Sequence, residues 1–185
     1  MQTIDKTKLP GKYKAWMYQH GLLPRLIWPL TLYEIPTTAV EVLERTVSKH
    51  LRRWLGVPPS FTNIGLYGKT TKLQLPLSSV LEEFKVSKTR LVVTPRDSRD
   101  QLIRQAGIET RTGRKWSASQ VVEQAETILR HRDIVGTPFE GRMGLGNNKQ
   151  SKWNTAEPQE RRAMVQQEIR DIEEESRKTK AVQMG

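Results

Sequence analysis

The 185-residue sequence contains no cysteine, which excludes disulfides, thiolate metal sites and cysteine nucleophiles. No apolar run reaches the roughly 18 residues that a membrane-spanning helix needs. The most apolar stretch, Leu22 to Leu32, is broken by Pro24, Arg25 and Pro29. The opening MQTIDKTKLPGK lacks the hydrophobic core of a signal peptide. These absences lead us to expect a soluble, intracellular protein of the nucleus or cytoplasm. Negative charge is scarce too: 20 Asp and Glu stand against 31 Lys and Arg, for a formal net charge of +11. The excess favours a polyanionic partner, because each phosphate neutralised by a cation releases a counterion. Nucleic acid fits better than an acidic membrane, since the basic residues are spread over several segments and no amphipathic helix carries a broad aromatic face toward lipid. A hydrophobic content of 36% allows one modest core and at most an appendage.

Signatures of catalysis and metal binding are missing as well. The three histidines, His20, His50 and His131, lie far apart, with no carboxylate at ligand spacing. Gly68, Lys69 and Thr70 spell the end of a phosphate loop, but Asn63 stands where its first glycine belongs, and Pro58 and Pro59 precede it. The glycines from Gly141 to Gly146 have the wrong spacing for a dinucleotide fingerprint. His131, Arg132 and Asp133 match the kinase catalytic-loop triplet, yet they fall in a helical pattern and Pro138 replaces the required asparagine. Asp97 and Asp100 neighbour Arg96 and Arg99, so ion pairing or helix capping accounts for them. Nothing assembles a nucleophile, a base and an orienting group. We therefore expect no catalytic residue, no metal and no cofactor.

What is present is mostly helical pattern. Leu9, Tyr13, Trp16, Met17 and His20 share one face of a helix with Pro10 in its first turn. The run from Leu22 to Ile35 is apolar on all sides, which predicts a buried helix bent at Pro29. After Trp54 come Pro58, Pro59, Gly65 and Gly68, and the alternation of Leu73, Leu75 and Leu77 allows a short β-hairpin. Ser79 with Glu82 forms a capping box for a helix with Val80, Leu81, Phe84, Leu91 and Val92 on its face, running to Pro95. Arg96 to Ala106 reads as a short helix stopped by Gly107, and GIETRTGRKW as a basic turn. Ser117, paired with Gln120, opens a helix to about Val135 with Val121, Val122, Ala125, Ile128 and Leu129 together. Residues 136–156 read as a flexible linker. The final charged helix, within 157–185, has an apolar stripe of Val165, Ile169 and Ile172 that is too thin for a core, so it is expected to stand in water or await a partner. The expected fold is a small, mostly α bundle over residues 1–135, then the linker and the exposed helix.

The chain is organised around Pro36 to Pro58. Thr38 and Glu41 make a capping box, and Gly56 with Pro58 supplies the stop, giving a helix over residues 38–55. At about 100° per residue, Val40, Leu43, Val47, Leu51 and Trp54 fall on one face, with Arg45, Lys49, Arg52 and Arg53 opposite. A solvated basic face is the plain reading, and a phosphate-binding face the functional one. Tyr13, Trp16, Tyr18, Trp28, Tyr33 and Trp54 are interleaved with cations in this first third, as in single-strand stacking platforms. Trp16 and Trp54 nevertheless lie on apolar faces, where core packing is the expectation.

The succession LPGKYKAWMYQHGLLPRLIWPLTLYEIP, LERTVSKHLRRWLGVP, LYGKTTKLQLPLSSVLEEFKVSKTR and GIETRTGRKW resembles the region after the palm in reverse transcriptases of animal non-long-terminal-repeat retrotransposons. RRAMVQQEIRDIEEESRKTKAVQMG is similar to the charged helix farther along those polyproteins. The resemblance implies a helical thumb and connector that holds the duplex of primer and template. It carries over Lys12 and Lys14 at the thumb entrance, and Arg45, Lys49, Arg52 and Arg53 on a helix facing the nucleic-acid backbone. The palm, with its adjacent aspartates, and the Cys/His knuckle of that family of RNA-directed DNA polymerases have no counterpart here, so a non-catalytic mobile-element fragment is implied. The missing palm, or another protein recruited by the last helix, is a further partner under this reading. The rival from a different class is a helical interaction protein that uses the stripe of Val165, Ile169 and Ile172 and any apolar face left bare by the missing palm, with Ile27, Trp28 and Leu30 as candidates; a non-functional mobile-element remnant is the other alternative.

Overall fold

The computed structural model describes residues 1–69, 75, 77–135 and 152–183, and among them there are helices and connecting loops but no strand. The chain begins with a single turn, α1 (Gln2–Asp5). It continues into α2 (Gly11–Met17), which runs through a π-helical turn, Tyr18–Leu22, into α3 (Leu23–Leu32). Backbone angles stay right-handed at Met17, Tyr18, Leu22 and Leu23, so residues 11–32 form one bent rod. The longest amphipathic element of the first half, α4 (Thr37–Leu55), ends at Gly56, whose φ of 68° is the left-handed cap that glycine adopts without penalty. There follow α5 (Asn63–Tyr67), α6 (Val80–Arg96), α7 (Gln101–Ala106), α8 (Ala118–Val135), α9 (Lys152–Thr155) and α10 (Pro158–Gln183).

The centre of the fold is α6, which packs against α3, α4, α8 and α10. Its first half joins Tyr18, Val47, Leu51, Leu66 and Tyr67 through Val80 and Phe84. Its second half joins Val122, Ala125, Val165 and Ile169 through Val86 and Val93. A helix surrounded on several sides loses amphipathic contrast, which is why α6 carries buried Glu82, Lys88 and Thr89 among its apolar residues. Each is satisfied: the Lys88 ammonium donates to the carbonyls of Thr31 (2.7 Å) and Tyr33 (2.8 Å) at the end of α3, and Thr89 bonds back to Val86. Burial lowers the pKa of Lys88, with Glu34 opposing. Half of the expected α6 capping box forms, the Ser79 hydroxyl accepting from the Glu82 amide at 3.2 Å, while the Glu82 carboxylate goes to Arg170 and Arg177.

Four expectations are corrected. The last helix is not exposed: α10 lies on α6 and α8 with Val165 and Ile169 buried. Its thin stripe suffices because ion pairs extend the contact on both sides. Arg170 meets Glu82 (2.8 Å) and Glu83 (2.7 Å), Arg177 meets Glu82 (2.7 Å), Lys85 meets Glu173 (2.5 Å) and Arg132 meets Glu168 (2.5 Å). Second, the C-terminal end of the expected linker is helical. In α9 Trp153 is buried in the second core, with Arg130 and Arg161 against its ring. Third, α4 has no capping box: Pro36 precedes it, the Thr37 amide and hydroxyl both donate to the Thr112 carbonyl, and Glu41 is taken by Lys115 at 2.7 Å. Fourth, the rod of residues 11–32 is not buried all round, as Trp28 and Leu32 are 70% and 58% exposed. Most of the expected linker and most of the expected hairpin lie outside the described residues.

Candidate nucleic-acid interface

The basic face of α4 is set by what lies behind it. Val40, Val47, Leu51 and Trp54 are buried as expected, so Arg45 and Lys49, one turn apart on the far side, face solvent. Neither has a carboxylate within ion-pair distance among the described residues. Beside α4 lies α2, brought close by Gly11, where a Cβ would sit 1.6 Å from the Trp54 carbonyl oxygen. That approach puts Lys14 near the end of α4 and leaves Lys12 exposed, its ammonium 5.1 Å from the Tyr13 ring.

Asp5 organises the junction of α1, α2 and α4. Its carboxylate accepts from the Trp54 indole at 2.5 Å and from Arg53, and lies 3.2 Å from His50 Nδ1. Its backbone carbonyl takes the Lys14 ammonium at 3.0 Å. The Trp54 hydrogen bond lowers the Asp5 pKa, against the opposing effect of burial and with help from the Arg53 and His50 charges. Lys6, Lys14 and Arg53 thus converge on a shallow cleft beside Asp5 and Trp54.

The six residues expected to bind nucleic acid therefore divide. Lys12, Arg45 and Lys49 are uncommitted. Lys14 and Arg53 are partly engaged with Asp5. Arg52 is turned to structural use, its guanidinium donating to the Phe61 carbonyl and the Asn63 side chain at 2.6 Å each, which ties α4 to the loop before α5. Arg52 and Arg53 also lie in the last turn of α4, where cations complement the helix dipole.

Sequence reasoning missed the acid inventory. Between Asp5 and Glu34 there is no Asp or Glu, while Lys6, Lys8, Lys12, Lys14 and Arg25 fall in that interval. Of the acids nearby, Asp5 and Glu41 are occupied by the partners above and Glu44 by burial, while Glu34 is exposed at the far end of the rod, where its charge acts on Lys88. Glu44 accepts from Ser48 (3.3 Å), Ser79 (3.1 Å) and the Leu81 amide (3.1 Å), so it sits at the start of α6 rather than on the basic surface. By contrast, Arg170 and Arg177 of α10 are matched by Glu82, Glu83 and Glu174 within the fold. The described residues hold no cluster of three or more potential metal ligands, and no helix among them is long and apolar enough to cross a membrane.

The aromatic residues divide differently from the expectation. Trp54 and Tyr18 are buried as core residues, but Trp16 is 61% exposed, because α2 turns Ala15 and Tyr18 inward instead of the face with Tyr13 and Trp16. Tyr13 and Tyr33 are also exposed, so the first third does present a broad aromatic face.

No protein-family model, curated protein or solved structure matches this chain.

Proposed function

We propose that the chain is a non-catalytic nucleic-acid-binding module that holds the sugar-phosphate backbone of an RNA/DNA duplex without reading its sequence. The observation that carries this reading is a set of free cations on an acid-free background. Lys85, Arg132, Arg170 and Arg177 are paired internally with acids, whereas Lys12, Arg45 and Lys49 have no ion-pair partner among the described residues, and Asp and Glu are absent from residues 6–33. Uncommitted cations against an acid-free background form a phosphate-binding surface, and phosphate contacts position a duplex rather than specify it. The resemblance to a retrotransposon reverse transcriptase thumb points to primer and template as the duplex. The rival interaction module loses the α10 part of its support, because Val165 and Ile169 are already covered by α6 and α8, and keeps the exposed Trp28.

The test is fluorescence anisotropy of a labelled RNA/DNA duplex titrated at several salt concentrations. Affinity should fall steeply with salt, and changing Lys12, Arg45 and Lys49 together to Gln should reduce the slope of log affinity against log salt by about one for each phosphate contact removed. An unchanged slope in a folded variant would overturn the assignment. Extension of a primer in the presence of nucleotides and magnesium would overturn the non-catalytic part.

A further inference from the structure

The bent rod of residues 11–32 presents a second surface distinct from the α4 face. Its inward side is Gly11, Ala15, Tyr18, Leu23 and Leu30. Its outward side carries Tyr13 (51% exposed), Trp16 (61%), His20, Arg25, Trp28 (70%) and Leu32 (58%). The spacing is mostly three or four residues, so the outward side groups form one stripe along the rod. Trp16 and Trp28 are separated by roughly 18 Å along the axis at about 1.5 Å per residue. The Trp16 and His20 rings lie 4.9 Å apart and, with Met1, Ile4 and Arg25, line a cleft open to solvent. Aromatic side chains are usually taken inside by a fold, so a stripe with two largely exposed tryptophans needs a partner with flat apolar groups. Charge decides which. The stripe lies wholly within the acid-free interval and is flanked by Lys12 and Arg25, so the partner is anionic as well as flat.

We propose that this stripe binds single-stranded nucleic acid, with unpaired bases stacking on Trp16 and Trp28 and with Lys12 and Arg25 taking adjacent phosphates. Every base has a π-face, so such stacking is tolerant of sequence and adds to backbone contacts. The proposal shares an anionic partner and Lys12 with the duplex reading, and rests beyond that on Trp16, Trp28 and Arg25, which the duplex reading does not use. An anionic lipid surface would also attract tryptophans beside cations, yet His20 and Arg25 interrupt the apolar stripe that insertion into lipid requires.

The experiment compares three probes on the full chain: an oligothymidylate of about twelve nucleotides, an abasic oligomer of the same length and charge, and vesicles of phosphatidylserine. Binding is read by quenching of tryptophan emission and by anisotropy. The oligothymidylate should bind at least about ten-fold more tightly than the abasic oligomer, with quenching, as expected for stacking on exposed rings. The double change Trp16→Ala and Trp28→Ala should abolish that preference while leaving the salt dependence intact. Because both side chains are exposed, helical circular dichroism should be unchanged. Equal affinity for the two oligomers with a steep salt slope would overturn stacking and leave the backbone reading standing. A base preference that survives loss of both tryptophans would also overturn it. Emission shifted to the blue on vesicles, with no response to oligothymidylate, would replace it with a lipid partner. A base preference that disappears with the tryptophans, alongside a salt slope untouched by neutralising Arg45 and Lys49, would support stacking and overturn only the duplex assignment.

Discussion

Changing Glu44 to Ala would leave the Ser79 hydroxyl and the Leu81 amide without their acceptor at the start of α6. Stranding buried donors there should cost about 3 kcal/mol, measurable as a lower urea midpoint. The same carboxylate bears on alkaline stability. Burial, with Glu44 next in effect, pushes the hydroxyls of Tyr18 and Tyr67 far above the ordinary tyrosine range. A group whose folded pKa is raised contributes stability fully below its unfolded value near 10 and loses it as pH climbs above that value. Absorbance at alkaline pH should therefore show two of the four tyrosines silent until helical circular dichroism collapses. If all four titrated before unfolding, the buried hydroxyl network would be wrong. Asp5 works at the other end of the scale: its pKa is lowered, so the tie between α1 and α4 should be present above about pH 4 and lost as acid protonates it.

At the level of elements, legibility followed contrast. The sequence of α4 declares itself because its apolar and basic residues separate cleanly and Gly56 ends it, and the structure keeps both features. The core role of α6 was hidden because burial on several sides erases periodicity. Burial of α10 was hidden for a different reason: its charges look like solvent-seeking groups until Glu82 and Glu83, more than eighty residues earlier, are found opposite Arg170 and Arg177. Here burial works against the arginine charges, and the bonds and charges of the glutamates more than offset it, raising both pKa values. Glu82→Ala would leave Arg170 with Glu83 and Arg177 with Glu174 alone, and should destabilise by about 1 to 2 kcal/mol, with hydrogen exchange accelerated along α10 ahead of α4. The inward side of α2 was misread because its apolar residues mark the outward side, while small Gly11 and Ala15 make the contact with α4. Gly11→Ala should cost about 1 to 3 kcal/mol, since the Trp54 carbonyl occupies the space a methyl needs.

For the molecule as a whole, two kinds of electrostatics should respond differently to salt. The nucleic-acid binding proposed above would depend on exposed cations and should collapse between about 0.05 and 0.5 M salt, whereas the urea midpoint should move little, because the pairs of Glu82 with Arg170 and Arg177 are shielded from the ions that screen exposed charges. The candidate surface was legible in the sequence as an excess of cations. Which cations were free was not, since that depends on where Asp5, Glu41 and Glu44 fold. The central place of α6 also has a consequence for synthesis. Gln183, the last residue of α10, follows Arg96 by 87 positions. At roughly 10 residues per second, the side of α6 bearing Val86, Val93 and Glu82 waits about nine seconds on the ribosome before its final cover emerges. For that interval the nascent chain offers chaperones an apolar helix face that the finished protein never shows.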